Sequence, residues 1–207
     1  MWLKQYIFAY MFSTIQSHIA SSIQVKTALL NDQELLSLIA RAAETVTNSY
    51  KSGNKTLLAG NGGSAADAQH LSGEFVSRFN FDRPAIPSIA LSTDTSILTG
   101  IGNDYGFERL FSRQIEAHGN KGDVFIGIST SGNSPNIIKA LQTCKDRGVI
   151  SIGLTGETGG QMAGLCDICI KVPSAVTPRI QESHILIGHI ICHLVEEQLF
   201  KEYKPGK

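Results

Sequence analysis

The sequence has no excess of charge of either sign and no long apolar run. Its 207 residues include 18 Lys and Arg against 18 Asp and Glu, while apolar residues make up 42%. Disordered chains combine low hydrophobicity with high net charge, so this composition predicts a folded chain. The neutral balance argues against a nucleic-acid-binding protein. Because a membrane-spanning helix needs about 18 or more consecutive apolar residues, none is expected.

Cysteine is also scarce. Four cysteines, at positions 144, 166, 169 and 192, are too few to build a disulfide scaffold in a chain of this size. Cys166 and Cys169 form a C-x-x-C pair, but the residues around them are typical of a β-strand, and no second pair completes a metal site. We interpret both as reduced packing cysteines, with redox chemistry as the alternative. A cytoplasmic protein is the resulting expectation.

The first dozen residues are apolar but too short and poorly patterned for a signal peptide. They lack a long apolar core and a clear cleavage site with small residues. Two interpretations stay open. This segment is either an N-terminal helix docked on the domain or the result of a start codon upstream of a natural start at Met11.

Beyond this segment, short apolar runs alternate with polar turns and helical stretches, as in a βαβ arrangement. This pattern predicts an α/β fold with a doubly wound, mostly parallel five-stranded sheet flanked by helices, preceded by N-terminal helices, in one domain over residues 1–207. Asn31 is expected to cap the first of the helices that follow the N-terminal segment. The predicted strands cover residues 55–59, 89–91, 123–128, 149–154 and 168–172. The predicted helices cover residues 32–52, 64–79, 135–147 and 178–200.

Two loops follow strands and precede helices, which is where parallel sheets bind anions. The first loop, residues 60–64, reads GNGGS, and its glycines would let the backbone approach a ligand closely. The second, residues 129–134, reads STSGNS and carries four hydroxyls in front of Pro135. Neither loop contains Lys or Arg. Together they predict a phosphorylated ligand held by neutral donors and helix dipoles.

Two helices carry side chains suited to proton transfer or metal binding. His70 and Glu74 are four residues apart and therefore share one helix face. The last helix offers several candidates, and the spacing of His189 and His193 by itself resembles a two-histidine metal face. The pattern does not choose among these candidates, which are Gln181, Glu182, His184, His189 and His193.

Four segments, taken together and in order, resemble the sugar isomerase (SIS) domain family and, within it, the phosphoheptose isomerases. They are residues 60–70 (GNGGSAADAQH), 102–117 (GNDYGFERLFSRQIEA), 127–136 (GISTSGNSPN) and 179–190 (RIQESHILIGHI). The resemblance extends from about residue 30 to residue 200 and leaves residues 1–12 outside it. It implies the SIS fold and an aldose–ketose isomerase. That enzyme would convert sedoheptulose 7-phosphate to D-glycero-D-manno-heptose 7-phosphate, for the heptose of lipopolysaccharide, capsule or another surface polysaccharide.

The resemblance also implies roles for individual residues. Glu74 and His189 would carry catalysis, and a zinc ion would be bound by His70, Glu74, Gln181 and His189. The sugar phosphate would be bound by Asn61, Gly62, Gly63, Ser64, Asn103, Asp104, Ser129, Thr130, Ser131, Ser134 and Gln181. Members are homotetramers whose sites are completed by neighbouring subunits. The resemblance thus selects His189 over the other histidines of the last helix.

Two questions stay open at this level. On a straight helix Gln181 and His189 lie about 12 Å apart, so binding one ion would need different subunits or an irregular first turn. The competing function is that of a non-catalytic SIS-domain protein, such as the replication-initiator-associating protein, which acts by binding a partner. That protein lacks the catalytic residue types at the positions of Glu74 and His189, whereas this sequence has both.

Overall fold

The computed structural model of the chain describes residues 2–204, and describes side chains from residue 7 onward. Five parallel strands form a single sheet in the order β2-β1-β3-β4-β5. The strands are β1 (Thr56–Gly60), β2 (Ser88–Ala90), β3 (Val124–Ile128), β4 (Ile150–Thr155) and β5 (Ile168–Lys171). The strand order reverses between β1 and β3, as in a doubly wound sheet. The predicted fold class is confirmed.

Between residues 2 and 204, seven α-helices surround the sheet. They are α1 (Trp2–Asn31), α2 (Gln33–Lys51), α3 (Gly63–Val76), α4 (Thr95–Tyr105), α5 (Leu110–His118), α6 (Pro135–Arg147) and α7 (Thr177–Leu199). Over the described residues 2–204, no helix is both long enough and apolar enough to span a membrane.

Apolar side chains divide into two clusters, one on each face of the sheet. On one face, Ile126 and Leu154 pack with apolar residues of α2, α3 and α7. On the other face, Leu57 and Phe125 pack with residues of α5 and α6. Both faces are covered, which explains why β1 and β3 are buried at every position rather than at alternate ones. The loops after β1 and β3 therefore open at the same carboxyl-terminal edge.

Three features differ from the sequence-based expectation or go beyond it. Asn31 does not cap a helix: it ends α1, and Asp32 caps α2 by accepting a hydrogen bond from the Leu35 amide at 2.9 Å. The α4 and α5 helices were not predicted, because α4 contains two glycines and buries no residue completely. The N-terminal segment belongs to α1, a continuous helix of 30 residues.

The second half of α1, beyond the segment to which the two interpretations apply, is docked on α7. Arg179 donates a hydrogen bond to the His18 carbonyl, and Ser22 donates to Glu182 at 2.7 Å. The described side chains of the first half are different, since Phe8, Tyr10 and Phe12 are all more than half exposed. The interpretation that residues 1–12 dock on this chain is therefore wrong for the side chains that the structure describes.

Candidate active site

Three side chains from α3 and α7 converge at one point. The Nε2 atom of His70 lies 3.1 Å from Oε1 of Glu74 and 3.1 Å from Nε2 of His189. The ligand atoms of all three residues lie within 4.8 Å of one another, and the group is partly open to solvent. The helical spacing of His70 and Glu74 places both on one face of α3, as predicted. The third member comes from a stretch more than a hundred residues away in the sequence.

A close, parallel packing of α3 against α7 creates this convergence. A side chain at Gly188 would collide with Leu71, because its Cβ would lie 2.5 Å from the Leu71 methyl carbons. Near the beginning of α3, a Cβ on Gly63 would lie 2.6 Å from Nε2 of Gln181. The two glycines therefore allow the helix axes to approach. This approach brings His189, next to Gly188, against His70, next to Leu71.

The three side chains fit a zinc ion. A tetrahedral zinc site places histidine nitrogens and carboxylate oxygens about 2.0–2.2 Å from the ion, which puts neighbouring ligand atoms a little over 3 Å apart. The two 3.1 Å separations around His70 match that spacing. Without a cation, the unprotonated nitrogens of two imidazoles and a carboxylate oxygen would repel one another. The donor set and its spacing therefore suit a divalent cation.

The surroundings of His189 favour its neutral form. Partial burial and the positive charge of a protonated His70 both lower the pKa of His189, and the nearby Glu74 carboxylate opposes them. The ring of Phe79 lies on the opposite side, with its centroid 5.5 Å from that of the imidazole. A neutral imidazole can bind a metal ion or accept a proton.

Gln181 lies away from this cluster within the chain. Its side-chain amide is beside Gly63, and the first turn of α7 is regular from Thr177 onward. About 12 Å of helix therefore separates Gln181 from His189. The irregular turn considered above is absent, so a role for Gln181 at the same ion as His189 would need a second chain. That role stays a prediction.

The loop after β1 lies at the beginning of α3 and is shaped by glycine. Gly62 adopts a φ of +55°, and a Cβ on Gly60 would lie 2.4 Å from the Ser64 carbonyl oxygen. The Asn61 side chain exchanges two hydrogen bonds with Asn136, at 2.9 and 2.8 Å. This amide pair ties the loop after β1 to the start of α6. Asn61, Gly62, Gly63 and Ser64 thus lie together at the sheet edge where ligands are expected.

The serine loop, residues 129–134, lies beside it at the end of β3. The hydroxyl oxygens of Ser129 and Ser134 are 2.9 Å apart, and the hydroxyl oxygens of Ser129 and Ser131 are 3.5 Å apart. Gly132 has a φ of +66°, and its Cβ position lies only 2.1 Å from the Gly159 carbonyl oxygen. Thr130 and Ser131 line a pocket of about 320 Å³ that is also lined by Glu157.

Asn103 and Asp104 are not brought to this edge. They lie on the last turn of α4, both exposed, with a 2.8 Å hydrogen bond from the Asn103 amide to the Asp104 carboxylate. The α4 helix begins near the end of β2 and carries its last turn about 12 Å from its start. Their predicted contact with the sugar stays a prediction.

One acidic residue of α3 was not predicted from the sequence. Asp67 shares the face of His70 and Glu74, three and seven residues before them, and its Oδ2 atom is buried without a hydrogen-bond partner. Burial raises the pKa of Asp67, and the nearby His70 opposes this effect. The i, i+3, i+7 spacing was the available signal. Asn136 was also missed, because its role depends on a partner 75 residues away.

The other histidines of α7 are separate from the cluster. His184 is fully buried, and its Nε2 lies 3.1 Å from the Thr155 carbonyl oxygen, as expected of a core histidine. His193 is exposed and contacts Asn80 and Phe79. Glu182 contacts Ser22, Lys26 and Arg179. Of the five candidates on this helix, only His189 reaches His70 and Glu74.

Comparison with known proteins identifies the family. The SIS domain family model matches residues 20–156. The chain is 71% identical over 187 residues to the phosphoheptose isomerase of Aneurinibacillus thermoaerophilus, covering 90% of this chain and 94% of that protein. It is 69% identical over 188 residues to phosphoheptose isomerase 2 of Campylobacter jejuni, with 91% and 94% coverage.

Solved structures agree with this result. The phosphoheptose isomerase of Neisseria gonorrhoeae superimposes with a TM-score of 0.85 at 41% identity, covering 90% of this chain and 99% of that one. The enzyme of Francisella tularensis gives 0.86 at 38% identity, covering 90% and 98%. The chain belongs to the phosphoheptose isomerase family of SIS-domain proteins.

Proposed function

We propose that the chain isomerises sedoheptulose 7-phosphate to D-glycero-D-manno-heptose 7-phosphate. The observation that carries this proposal is the convergence of His70, Glu74 and His189 at one point. The loop after β1 lies at the beginning of α3 with the serine loop beside it, whereas His70 lies seven residues further along α3, which is about 10 Å. An open seven-carbon sugar with a phosphate at one end can span a gap of this order. The loops would hold the phosphate, and the cluster would face the carbonyl end.

The reaction moves a proton between C1 and C2 of the sugar and between their oxygens, through an enediol. Glu74 has a second oxygen, Oε2, beyond the one that contacts His70, and this oxygen can accept the carbon-bound proton. His189 would exchange the proton of the substrate oxygen. Binding of the distant phosphate by Ser129, Ser131 and Ser134 would hold the sugar in a fixed position relative to the catalytic side chains. The binding energy gained there would help to stabilise the transition state.

A zinc ion is the cofactor that we propose. Bound by His70, Glu74 and His189, with Gln181 from a neighbouring chain, it would polarise the substrate carbonyl as a Lewis acid. The Nε2 atom of His189 has one lone pair, so at any moment it can either bind the zinc ion or accept a proton. Metal content and turnover must therefore be measured together in any His189 variant.

Assembly and cellular role complete the proposal. We infer a homotetramer whose sites are completed across subunits, since Gln181 lies away from the cluster in its own chain and Asn103 and Asp104 are exposed at the end of α4. The heptose would supply lipopolysaccharide, capsule or another surface polysaccharide, and the enzyme would work in the cytoplasm. The retained Glu74 and His189, together with the isomerase names of the relatives given above, leave no observation in favour of the non-catalytic alternative.

The direct test is conversion of sedoheptulose 7-phosphate by the purified chain, followed by NMR of the aldose product. We expect turnover in the wild type and a loss of about 10²–10⁴-fold in kcat for Glu74→Gln and for His189→Asn. The matched controls are Glu44→Gln, which changes an exposed carboxylate on α2, and His193→Asn, which changes the exposed histidine one turn after His189. Both controls should keep the wild-type rate. Wild-type rates in Glu74→Gln would contradict the proposal.

A further inference from the structure

The C-x-x-C pair lies outside the site described above, on the edge strand β5. This strand pairs only with β4, and Cys169 lies opposite Gly153 in that pairing. Ile168 and Ile170 point to the α2 and α7 side of the sheet. Cys169, between them, points the other way and is half-buried rather than packed within a cluster. Its side chain lines an open pocket of about 390 Å³ beside Lys171.

Because Gly153 on β4 has no side chain, the sulfur of Cys166 can lie next to Cys169. A Cβ on Gly153 would lie 2.6 Å from Sγ of Cys166, so the Cys166 sulfur occupies the space that a side chain there would fill. Neighbouring strands are about 4.8 Å apart, so a sulfur over Gly153 is next to the residue paired with it, which is Cys169. The two thiols are therefore neighbours across the pairing of β4 with β5.

The surroundings make the two thiols unequal. The hydrogen bond from Cys166, the Thr155 hydroxyl at 3.8 Å and the Lys171 ammonium together lower the pKa of Cys169 to about 7, against the effect of burial. The same hydrogen bond and burial raise the pKa of Cys166. The nearby acidic groups are Asp167, on the Cys166 side, and Asp32 and Glu34, which line the pocket. Cys169 is thus the thiol suited to act as a nucleophile at neutral pH.

We propose that Cys169 and Cys166 are a redox-active dithiol that reacts with small-molecule disulfides. The Cys169 thiolate attacks one sulfur of the disulfide, forming a mixed disulfide and releasing one thiolate. Cys166 then loses its proton and its sulfur attacks the Cys169 sulfur, which forms the Cys166–Cys169 bond and releases the second thiolate. The two cysteines lose two electrons and two protons, and the small disulfide is reduced to two thiols.

The other two cysteines provide an internal comparison. Cys144 and Cys192 are buried in the two apolar clusters, and burial raises the pKa of both thiols. Buried thiols of this kind are inert toward disulfides. Oxidation should therefore be confined to the pair on β5.

The test treats the full-length chain with oxidised glutathione at neutral pH, then unfolds it in denaturant, alkylates the remaining thiols and measures the intact mass and the peptide map. We expect two alkylated cysteines, Cys144 and Cys192, and a Cys166–Cys169 disulfide that dithiothreitol reverses. Cys166→Ser should stop at a glutathione adduct on Cys169, and Cys169→Ser should form no adduct. Serine is close in size to cysteine, so both variants should fold, which circular dichroism checks.

Three results would overturn the proposal. One is four alkylated cysteines in the treated wild type. Another is a wild-type chain that stays a mixed disulfide on Cys169, because Cys166 would then not resolve it. The third is a rate of Cys169 alkylation by iodoacetamide that rises only at the alkaline pH of an ordinary thiol, instead of around pH 7. None of these measurements depends on isomerase activity.

Discussion

At the scale of the residue, the donor atoms of His70, Glu74 and His189 form the group that we propose binds a metal ion. Three atoms with lone pairs lie within 4.8 Å of one another, at spacings that suit ligands of one ion. Such a group is held together more easily by a cation than by a single shared proton. The site is therefore expected to depend on metal for activity.

Removal of metal should abolish turnover reversibly. Dialysis of the chain against a chelator is expected to remove most activity on sedoheptulose 7-phosphate, and zinc should restore it. The rate and the zinc content by elemental analysis should fall and recover together. His70→Asn should lower zinc content, whereas His193→Asn should leave it unchanged. Full activity at a zinc content near zero would contradict the metal assignment.

A second residue-scale feature is the buried His184. Burial lowers its pKa to about 4 from an ordinary value of 6.5, although its hydrogen bond with the Thr155 carbonyl opposes this. The unfolded chain therefore binds a proton between these pH values and the folded chain does not. The contribution of this histidine to stability is present above about pH 6.5 and is lost as the pH falls toward 4.

The free energy of unfolding should fall by about 3 kcal/mol from this group between pH 6.5 and pH 4. Urea unfolding at several pH values and one protein concentration measures it. Because other groups titrate in the same range, the test is the difference between the wild type and His184→Gln. A pH dependence as steep in His184→Gln as in the wild type would show that His184 does not cause it.

At the scale of the element, a buried ion pair connects the end of α3 to α7. Arg83 and Glu196 are 3.1 Å apart, and both side chains are about 1% exposed. Arg83 also donates hydrogen bonds to the carbonyls of Phe75 and Glu74, and Glu196 accepts from the amides of Phe79 and Asn80. This network provides hydrogen-bond donors for the carbonyl groups at the end of α3, and it holds Phe79 against His189.

Breaking the pair should be costly. Arg83→Met leaves Glu196 buried with only two amide donors, so we expect a loss of about 3–5 kcal/mol in the free energy of unfolding. Chemical denaturation measures it. Arg113→Met, which removes a half-exposed ion pair with Glu116, is the control and should cost about 1 kcal/mol or less. Equal losses in the two variants would contradict this account.

A second prediction at the scale of the element concerns the serine loop. Gly132→Ala introduces a Cβ at a φ of +66° where the Gly159 carbonyl oxygen is 2.1 Å away. The loop must shift, so KM for the sugar phosphate should rise about tenfold or more while kcat changes less. Gly73→Ala is the control, because nothing lies near that position on α3. An unchanged KM in Gly132→Ala would contradict the proposal that this loop binds the phosphate.

The sequence predicted the helices and strands that have a strong local sequence pattern and missed those that have a weak one. The buried strands and the α6 helix, with Pro135 at its start, follow from apolar runs and from turn chemistry. The α4 helix contains Gly100 and Gly102 and buries no residue completely, so its pattern is weak. The contact of His70 with His189 depends on two glycines in the α3–α7 packing, which no local pattern reveals. Only the family resemblance selected His189.

At the scale of the whole molecule, the chain exposes side chains on α1 and α4 that contact with a second chain would cover. Ile15, Ile19 and Ile23 form a stripe along α1, each more than half exposed. Asn103 and Asp104 are exposed at the end of α4. Stripes of this kind typically mark interaction surfaces. They agree with the proposed tetramer, in which α1 is covered and α4 reaches a neighbouring site.

Subunit mixing tests this arrangement. Glu74→Gln and Asp104→Asn should each be nearly inactive alone, if each site combines Glu74 of one chain with Asp104 of another. Co-expression of the two variants should yield assemblies in which some sites contain both wild-type residues, so the activity should exceed that of either parent several-fold. Glu74→Gln with His70→Asn is the control, since both residues lie in one cluster of one chain and should not complement. No gain with Asp104→Asn would contradict the shared site.

The most direct measurement of the central claim follows the carbon-bound proton itself. Wild-type chain incubated with sedoheptulose 7-phosphate in D₂O should incorporate deuterium at the carbon next to the carbonyl, as NMR or mass spectrometry detects. Glu74→Gln should slow this exchange by about 10²–10⁴-fold, because our proposal assigns removal of the proton to this carboxylate. Exchange at the wild-type rate in Glu74→Gln would show that the cluster of His70, Glu74 and His189 is not where the chemistry takes place.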